Sequence, residues 1–238
     1  TGKTGLLVRF MWLCVCIGYT NRVCIYVKNS NAYDKSILLR LTLKFAAKVF
    51  FESKVQMDYF EKNILVGSNN YAVSYVYYSD IPNGEKQHAN NEKLDQMRTD
   101  GNIVVGLIGA FDTSRRNYDS LISAHDKGLL KGLSFVQIGR FVGDTQTKQR
   151  LLPFTTFLKD EFSVEELDEL LGNCDVLLSM NTDSRGYQSH KGTAAFSEAA
   201  SLSKPLVVPK FMEVHSEYRD FCFYYNDAES LVKAIKAS

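Results

Sequence analysis

Two groups of residues in this 238-residue chain combine the side-chain types that bind anions. The first is the run Gly109-Ala110-Phe111-Asp112-Thr113-Ser114-Arg115-Arg116-Asn117, which follows an apolar stretch and precedes a helical pattern. Glycine lets the backbone approach a ligand, a helix N-terminus offers N–H groups, and two guanidiniums can clamp a diphosphate. The same residues can equally make a solvated loop whose arginines meet water. The second group is Ser184-Arg185-Gly186-Tyr187, then Lys191-Gly192-Thr193, then Glu198 within a helical stretch that stops before Lys204-Pro205. A Gly-Thr pair opening a helix can cap it and present donors to phosphate, while Glu198, about one and a half turns in, can accept from ribose hydroxyls. Taken alone, Glu198 can also be an ordinary exposed helix residue. Its neighbours Ala194, Ala195, Ala199 and Ala200 imply close packing, and a carboxylate there needs a partner.

Elements that would carry these groups alternate along the chain. Residues 22–28 are β-branched and aromatic, and residues 36–47 space Ile37, Leu38, Leu41, Phe45 and Ala46 at helical intervals. A strand over 48–52, a helix over 54–63 capped by Ser53, and a strand over 71–78 follow. Ile81-Pro82-Asn83-Gly84 is a turn signal, and 85–101 is almost devoid of apolar residues. This is the best boundary: an N-terminal α/β domain over 1–84, a polar linker over 85–101, and a second α/β domain over 102–238. The other reading of 85–101 is a long surface loop. Beyond it, strands are expected over 102–108, 133–138, 155–158, 176–180, 205–208 and 221–225. Helices are expected over 118–127, 145–152, 163–172, 193–202 and 228–236. Such alternation predicts an α/β protein with two Rossmann-like parallel-sheet layers, whose ligand sits beyond the carboxyl ends of the strands.

The bulk composition narrows the function. With 28 Lys plus Arg against 27 Asp plus Glu the formal charge is +1, so no global field recruits nucleic acid or an anionic membrane, and any anion site must be local. Five cysteines, odd in number and without CxxC spacing, fit free thiols in a reducing, cytoplasmic setting. The apolar run 10–19 is about half of the ~20 residues that span a bilayer, so it reads as a core helix or strand, with peripheral membrane contact as the other option. No Cys/His spacing suggests zinc. Thr1-Gly2-Lys3-Thr4-Gly5 has the residues that end a P-loop without its upstream strand and glycine. No ordered leader is visible, and Thr1 reads as an internal residue of something longer. His215, between Glu213 and Glu217, either reaches a ligand or is bonded locally.

Residues 197–208, Ser-Glu-Ala-Ala-Ser-Leu-Ser-Lys-Pro-Leu-Val-Val, resemble the E-A-x-x-x-G-x-P-V-V segment of family 4 retaining glycosyltransferases of the GT-B fold. Ile81-Pro82-Asn83-Gly84 is similar to that family's interdomain I-P-N-G. Arg116-Asn117 through Leu121-Ile122-Ser123-Ala124 resembles its K-G/N…L-I-x-A helix start. Residues 162–178, through Leu170-Leu171 and Cys174-Asp175-Val176-Leu177-Leu178, are similar to its eel…l…aDvfl segment. The order of these segments across residues 22–236 is more specific than any one of them.

The resemblance implies a GT-B-like enzyme, its N-terminal domain partial over 1–84 and its C-terminal domain complete over 102–238, that transfers a hexose-type sugar from a nucleotide-diphosphate donor to a hydroxyl of a glycan, lipid or protein acceptor. It implies retention, no metal and no cofactor beyond the donor. It assigns ribose to Glu198, the diphosphate to Arg115 or Arg116, and the base to the neighbourhood of Phe157, Leu158 and Lys159. With them, Gly109, Phe111, Tyr187, Lys191, Gly192 and Thr193 make the expected donor-binding set; no catalytic residue is assigned. Three departures bear on turnover. His190 stands where the family has a second Glu, Ala110 replaces the basic residue after the first-loop glycine, and Lys28-Asn29 stands where many members carry a His. The alternative is an incomplete nucleotide-sugar-binding module that needs a partner chain or missing segment for the acceptor side. A sugar-nucleotide epimerase of the same fold would need paired acid and base groups, which the sequence does not reveal.

Overall fold

The structure is a computed structural model that describes all residues except 1, 17, 19–21, 28–32, 34–35, 64–70, 75–91, 100, 159–161, 184–185 and 190. The Ile81-Pro82-Asn83-Gly84 turn, Lys159, Ser184, Arg185 and His190 therefore lie outside the described residues. The chain divides into two compact units, Thr1–Val76 with Ser184–Thr193, and Tyr77–Asp183 with Ala194–Ser238.

The first unit holds helix α1 (Gly2–Cys16), strand β1 (Cys24–Val27), helix α2 (Ile37–Phe45), strand β2 (Lys48–Phe51), helix α3 (Lys54–Asn63) and strand β3 (Tyr71–Val73). The strands are parallel in the order β1-β2-β3, with Ile25 beside Val49 and Phe51 beside Val73. Helix α2 starts where Ser36 Oγ accepts from Leu39 N, and it buries Leu39 and Leu43, one turn apart, with Val27, Val49, Phe51 and Phe60. Of the run over 10–19, read from sequence as a core helix or strand or a membrane contact, residues 10–16 lie in α1, which is buried on one face only. Met11 and Cys14 face the core, whereas Leu6, Phe10 and Leu13 are 70 %, 52 % and 58 % exposed. A run of apolar residues has the same composition whether its helix is enclosed or turns a second apolar face outward.

The first described element of the second unit lies within the polar stretch expected to be a linker. Residues Glu92–Thr99 form helix α4 there. Leu94 is fully buried, and Arg98 donates to the Asn173 carbonyl and lies 3.7 Å from Asp175. Its sequence holds two apolar residues, Leu94 and Met97, too few to show a periodicity.

The rest of this unit runs β4 (Ile103–Ile108), α5 (Asp119–Asp126), β5 (Leu133–Ile138), α6 (Thr145–Leu151), β6 (Thr155–Phe157), α7 (Val164–Gly172), β7 (Val176–Leu178), α8 (Ala194–Ser201), β8 (Leu206–Pro209), two 3-10 turns (Lys210–Val214 and Ser216–Phe221), β9 (Cys222–Tyr225) and α9 (Ala228–Ala237). Its six strands are all parallel in the order β6-β5-β4-β7-β8-β9. The chain builds outward from β4 in one direction, returns to β7 and builds outward in the other. That reversal leaves a crevice at the carboxyl ends of β4 and β7, the usual ligand position in open parallel sheets.

The strands are apolar on both faces, as a doubly covered sheet requires: every described residue of β7 and β8 is buried. Gly106 in β4 is needed for packing, because a Cβ there would lie 2.7 Å from Cys174 Sγ and 3.2 Å from Leu177. Helix starts are set by side chains that take up orphan N–H groups. Asp144 caps α6, and Ser163 with Glu166 forms a capping box on α7, as Asp227 with Ser230 does on α9.

Candidate functional site

The loop after β4 begins at Gly109, whose φ of +88° a residue with a Cβ adopts only under strain. Its peptide is held from two sides. Gln137 Nε2 donates to the Gly109 carbonyl at 2.8 Å, and Gly139, at the end of β5, comes so close that a Cβ on it would stand 2.6 Å from the same oxygen. Beyond the glycine, the Asp112 carbonyl accepts from the N–H groups of Arg115 and Arg116, and its carboxylate accepts from Ser114. The loop is thus a self-braced turn that fixes where Arg116 leaves the backbone.

Arg116 crosses the crevice between β4 and β7. Its Nη1 donates to Ser179 Oγ at 3.0 Å and to Asn181 Oδ1, both just past β7, while Nη2 lies over Gly109, 2.5 Å from where a Cβ would be. Backbone bonds knit the two loops together: Asn117 N donates to the Met180 carbonyl at 2.8 Å, and Thr182 N to the Arg115 carbonyl at 3.1 Å. Ser179 and Asn181 are neutral, so their bonds orient the guanidinium without neutralising it. Nearby, burial raises the phenols of Tyr118 and Tyr225 above the usual tyrosine range, against a downward pull from Arg116, so both remain uncharged. Asn181 is 2 % exposed, and its amide Nδ2 has no hydrogen-bond partner among the described residues. An unpaired buried amide costs about 1–3 kcal/mol, which a ligand oxygen would recover.

Several expectations need revision. The side chain of Phe111, expected in the donor-binding set, is fully buried, stacked on Tyr118 at 4.7 Å and on Phe141 at 5.2 Å, with Phe157 edge-on at 5.7 Å. It is a core residue that anchors the loop. Tyr187 is likewise buried, in the first unit, with Lys191 Nζ 4.7 Å over its ring. The space beside Gly192 is taken by the Glu52 carboxylate of the same unit, so the missing Cβ there serves that close approach; a carboxylate has the wrong sign for a phosphate cradle. The N-terminus of α5 is not an open donor set, since Asn117 Oδ1 accepts from Asp119 N at 2.8 Å. His215 is buried in the 3-10 turns with its ring 5.1 Å from Phe196.

Other expected residues remain compatible with a ligand. Arg115 is exposed on the same loop as Arg116. Leu158 is half-buried at the end of β6, and Glu198 is half-buried on α8, whose Ala195, Phe196 and Ala199 form the packed face. Glu198 is therefore on the flank of its helix, where a carboxylate retains access to solvent. Thr193 closes the first unit's second segment, and α8 starts one residue later in the second unit. Sequence reasoning missed Gln137, Ser179 and Asn181. The last two lie directly after an apolar strand, the position from which a parallel sheet presents ligand contacts, and that was the available signal. No group of three or more His, Cys, Asp or Glu that could hold a metal occurs among the described residues.

No protein-family model matches the sequence, nor does any curated protein. Solved structures do match in fold. Anabaena HepE in complex with UDP is similar at a TM-score of 0.66 and 15 % identity, over 97 % of this chain and 65 % of that one. An α,α-trehalose-phosphate synthase (UDP-forming) from Burkholderia xenovorans, in complex with glucose-6-phosphate, is similar at 0.61 and 13 % identity, over 96 % and 62 %. WaaG, a glycosyltransferase involved in lipopolysaccharide biosynthesis, is similar at 0.51 and 16 % identity, over 86 % and 60 %. The chain spans between 60 % and 65 % of the length of these three proteins. The likeness establishes the fold class: two parallel α/β layers of the GT-B-like type.

Proposed function

We propose that this chain binds a nucleotide-diphosphate sugar at the β4/β7 crevice of its second unit and acts in glycosyl transfer to an acceptor hydroxyl. The observation that carries the reading is the Arg116 guanidinium, braced by Ser179 and Asn181 across the switch point of a parallel sheet beside an unpaired Asn181 amide. A fork held in that position suits the paired oxygens of a diphosphate. Glu198 would take the ribose hydroxyls and the end of β6, near Leu158, the base. The similarity in fold to HepE crystallised with UDP supports the same class of donor.

In the reaction, the bond from the sugar's anomeric carbon to the diphosphate oxygen breaks and its electron pair leaves with the diphosphate. The acceptor oxygen bonds to that carbon, and its proton passes to the departing diphosphate. Arg116, with Arg115 in reach of the same loop, would stabilise the charge that grows on the departing group. We propose retention, a hexose-type donor, independence of metal and family 4 membership on the strength of the sequence resemblance, and a cytoplasmic setting on that of the thiols. A second reading, a donor-binding module completed by a partner chain or a further segment, is favoured by His190 in place of the family's second carboxylate.

Calorimetric titration with UDP, GDP and ADP in EDTA tests the first step. At least one should bind, and Arg116→Lys, which keeps the charge and loses the fork, should weaken it by about 1.5–3 kcal/mol, tenfold or more in Kd. If none of the three binds, the proposal fails. Binding together with donor hydrolysis or transfer supports the enzyme; binding with neither, on the full chain with acceptor sugars present, supports the module.

A further inference from the structure

The first unit carries an apolar surface that donor binding does not use. On α1, Leu6, Phe10 and Leu13 form one exposed stripe with Arg9 set within it, opposite the buried Met11 and Cys14. Trp12, 40 % exposed, sits at the edge of this stripe and shares a shallow groove with Leu41, Thr42 and Phe45 of α2. The outward face of α2 continues the pattern in two adjacent rows: Ile37, Leu41 and Phe45 at intervals of four, beside Arg40 and Lys44. Contiguous exposed apolar side chains on two neighbouring helices mark a binding surface.

Charge identifies the occupant. The overall balance of +1 conceals a strong asymmetry, because residues 1–50 contain eight Lys and Arg and a single acid, Asp34, whereas residues 51–238 contain 20 basic and 26 acidic residues. Large aromatic and leucine side chains interleaved with exposed Arg9 and Lys44, in a segment almost without carboxylates, are complementary to an apolar layer roofed by anions. A bilayer interface offers both at once: apolar side chains enter the acyl boundary while guanidinium and ammonium groups meet the headgroups. Neither helix needs to cross, and among the described residues no helix is long and apolar enough to do so. We infer that α1 and α2 of the first unit form a docking face for an anionic bilayer. Such a face works without a bound donor.

Trp12 is the chain's sole tryptophan and lies in this surface, so its emission reports the event directly. The full chain should co-float with phosphatidylcholine/phosphatidylglycerol vesicles, with a blue shift of Trp12 emission, and bind phosphatidylcholine vesicles at least tenfold less. Phe10→Glu should cut vesicle binding at least tenfold with an unchanged melting temperature, since the side chain is exposed. Replacing Arg9 and Lys44 together by Gln should abolish the preference for anionic lipid. Equal binding to both vesicle types, or no co-flotation and no shift, would overturn the inference. So would a blue shift in lipid-free protein that grows with concentration alongside a dimer mass, which would make the surface an interface between copies.

Discussion

Gly109→Ala separates the cost of a backbone conformation from the cost of displacing a functional side chain. An alanine at φ +88° costs about 1–2 kcal/mol from its clash with the neighbouring carbonyl alone. Its Cβ would also stand 2.5 Å from Arg116 Nη2, so the guanidinium must withdraw from Ser179 and Asn181. Losing those hydrogen bonds to a charged group, half exposed to water, adds about 1–2 kcal/mol, for a total of about 2–4 kcal/mol. Gly128→Ala is the matched control: its φ is +68°, and a Cβ there meets nothing within 4 Å. The control should lose about 1–2 kcal/mol, or about 2–8 °C in melting temperature, and keep nucleoside-diphosphate affinity. Gly109→Ala should lose more stability and at least tenfold in affinity. Thermal melts and calorimetric titration read the two quantities separately. If Gly109→Ala binds the nucleotide as tightly as the parent and melts with the control, the guanidinium does not occupy the binding position and the site is misassigned.

Other expected outcomes follow from packing. Phe111→Leu should lower stability by about 1–3 kcal/mol on thermal melting while leaving nucleotide affinity within twofold, because the ring is enclosed by Tyr118, Phe141 and Phe157. Gly106→Ala should cost about 1–3 kcal/mol by chemical denaturation, since Cys174 Sγ is in the way, and Cys174→Ala in the same chain should relieve part of it. Burial pushes the Cys174 and Cys222 thiols up to about 12 from an ordinary 9.0. With folded values raised, their stabilisation is complete below about pH 9 and is lost as pH climbs towards 12, so melting temperature should fall across that window, less so in Cys222→Ala. In native protein both should resist a thiol reagent that labels the exposed Cys24. Removing the α7 cap with Ser163→Ala should cost about 1 kcal/mol, measured by urea unfolding.

The amino-acid sequence by itself determined the alternation of elements, because each strand or helix shows its period within about 4 to 18 residues and its cap within one turn. Helix α3 over 54–63 and strand β5 over 133–138 fall where the pattern places them. It also pointed to the glycine and paired arginines after β4, since residue type and a strand-loop-helix context are local facts. Tertiary structure decided which of the two arginines spans the crevice, because the braces on Arg116 come from residues 63 and 65 positions away. It turned Phe111 and Tyr187 into core residues, as a single aromatic in a loop carries no periodicity to show which way it faces. It set Glu52 beside Gly192, a contact between segments about 140 residues apart that no local pattern encodes. Similarly, an apolar helix looks the same in sequence whether its second face meets the core or water, and only the packing of α1 distinguishes them.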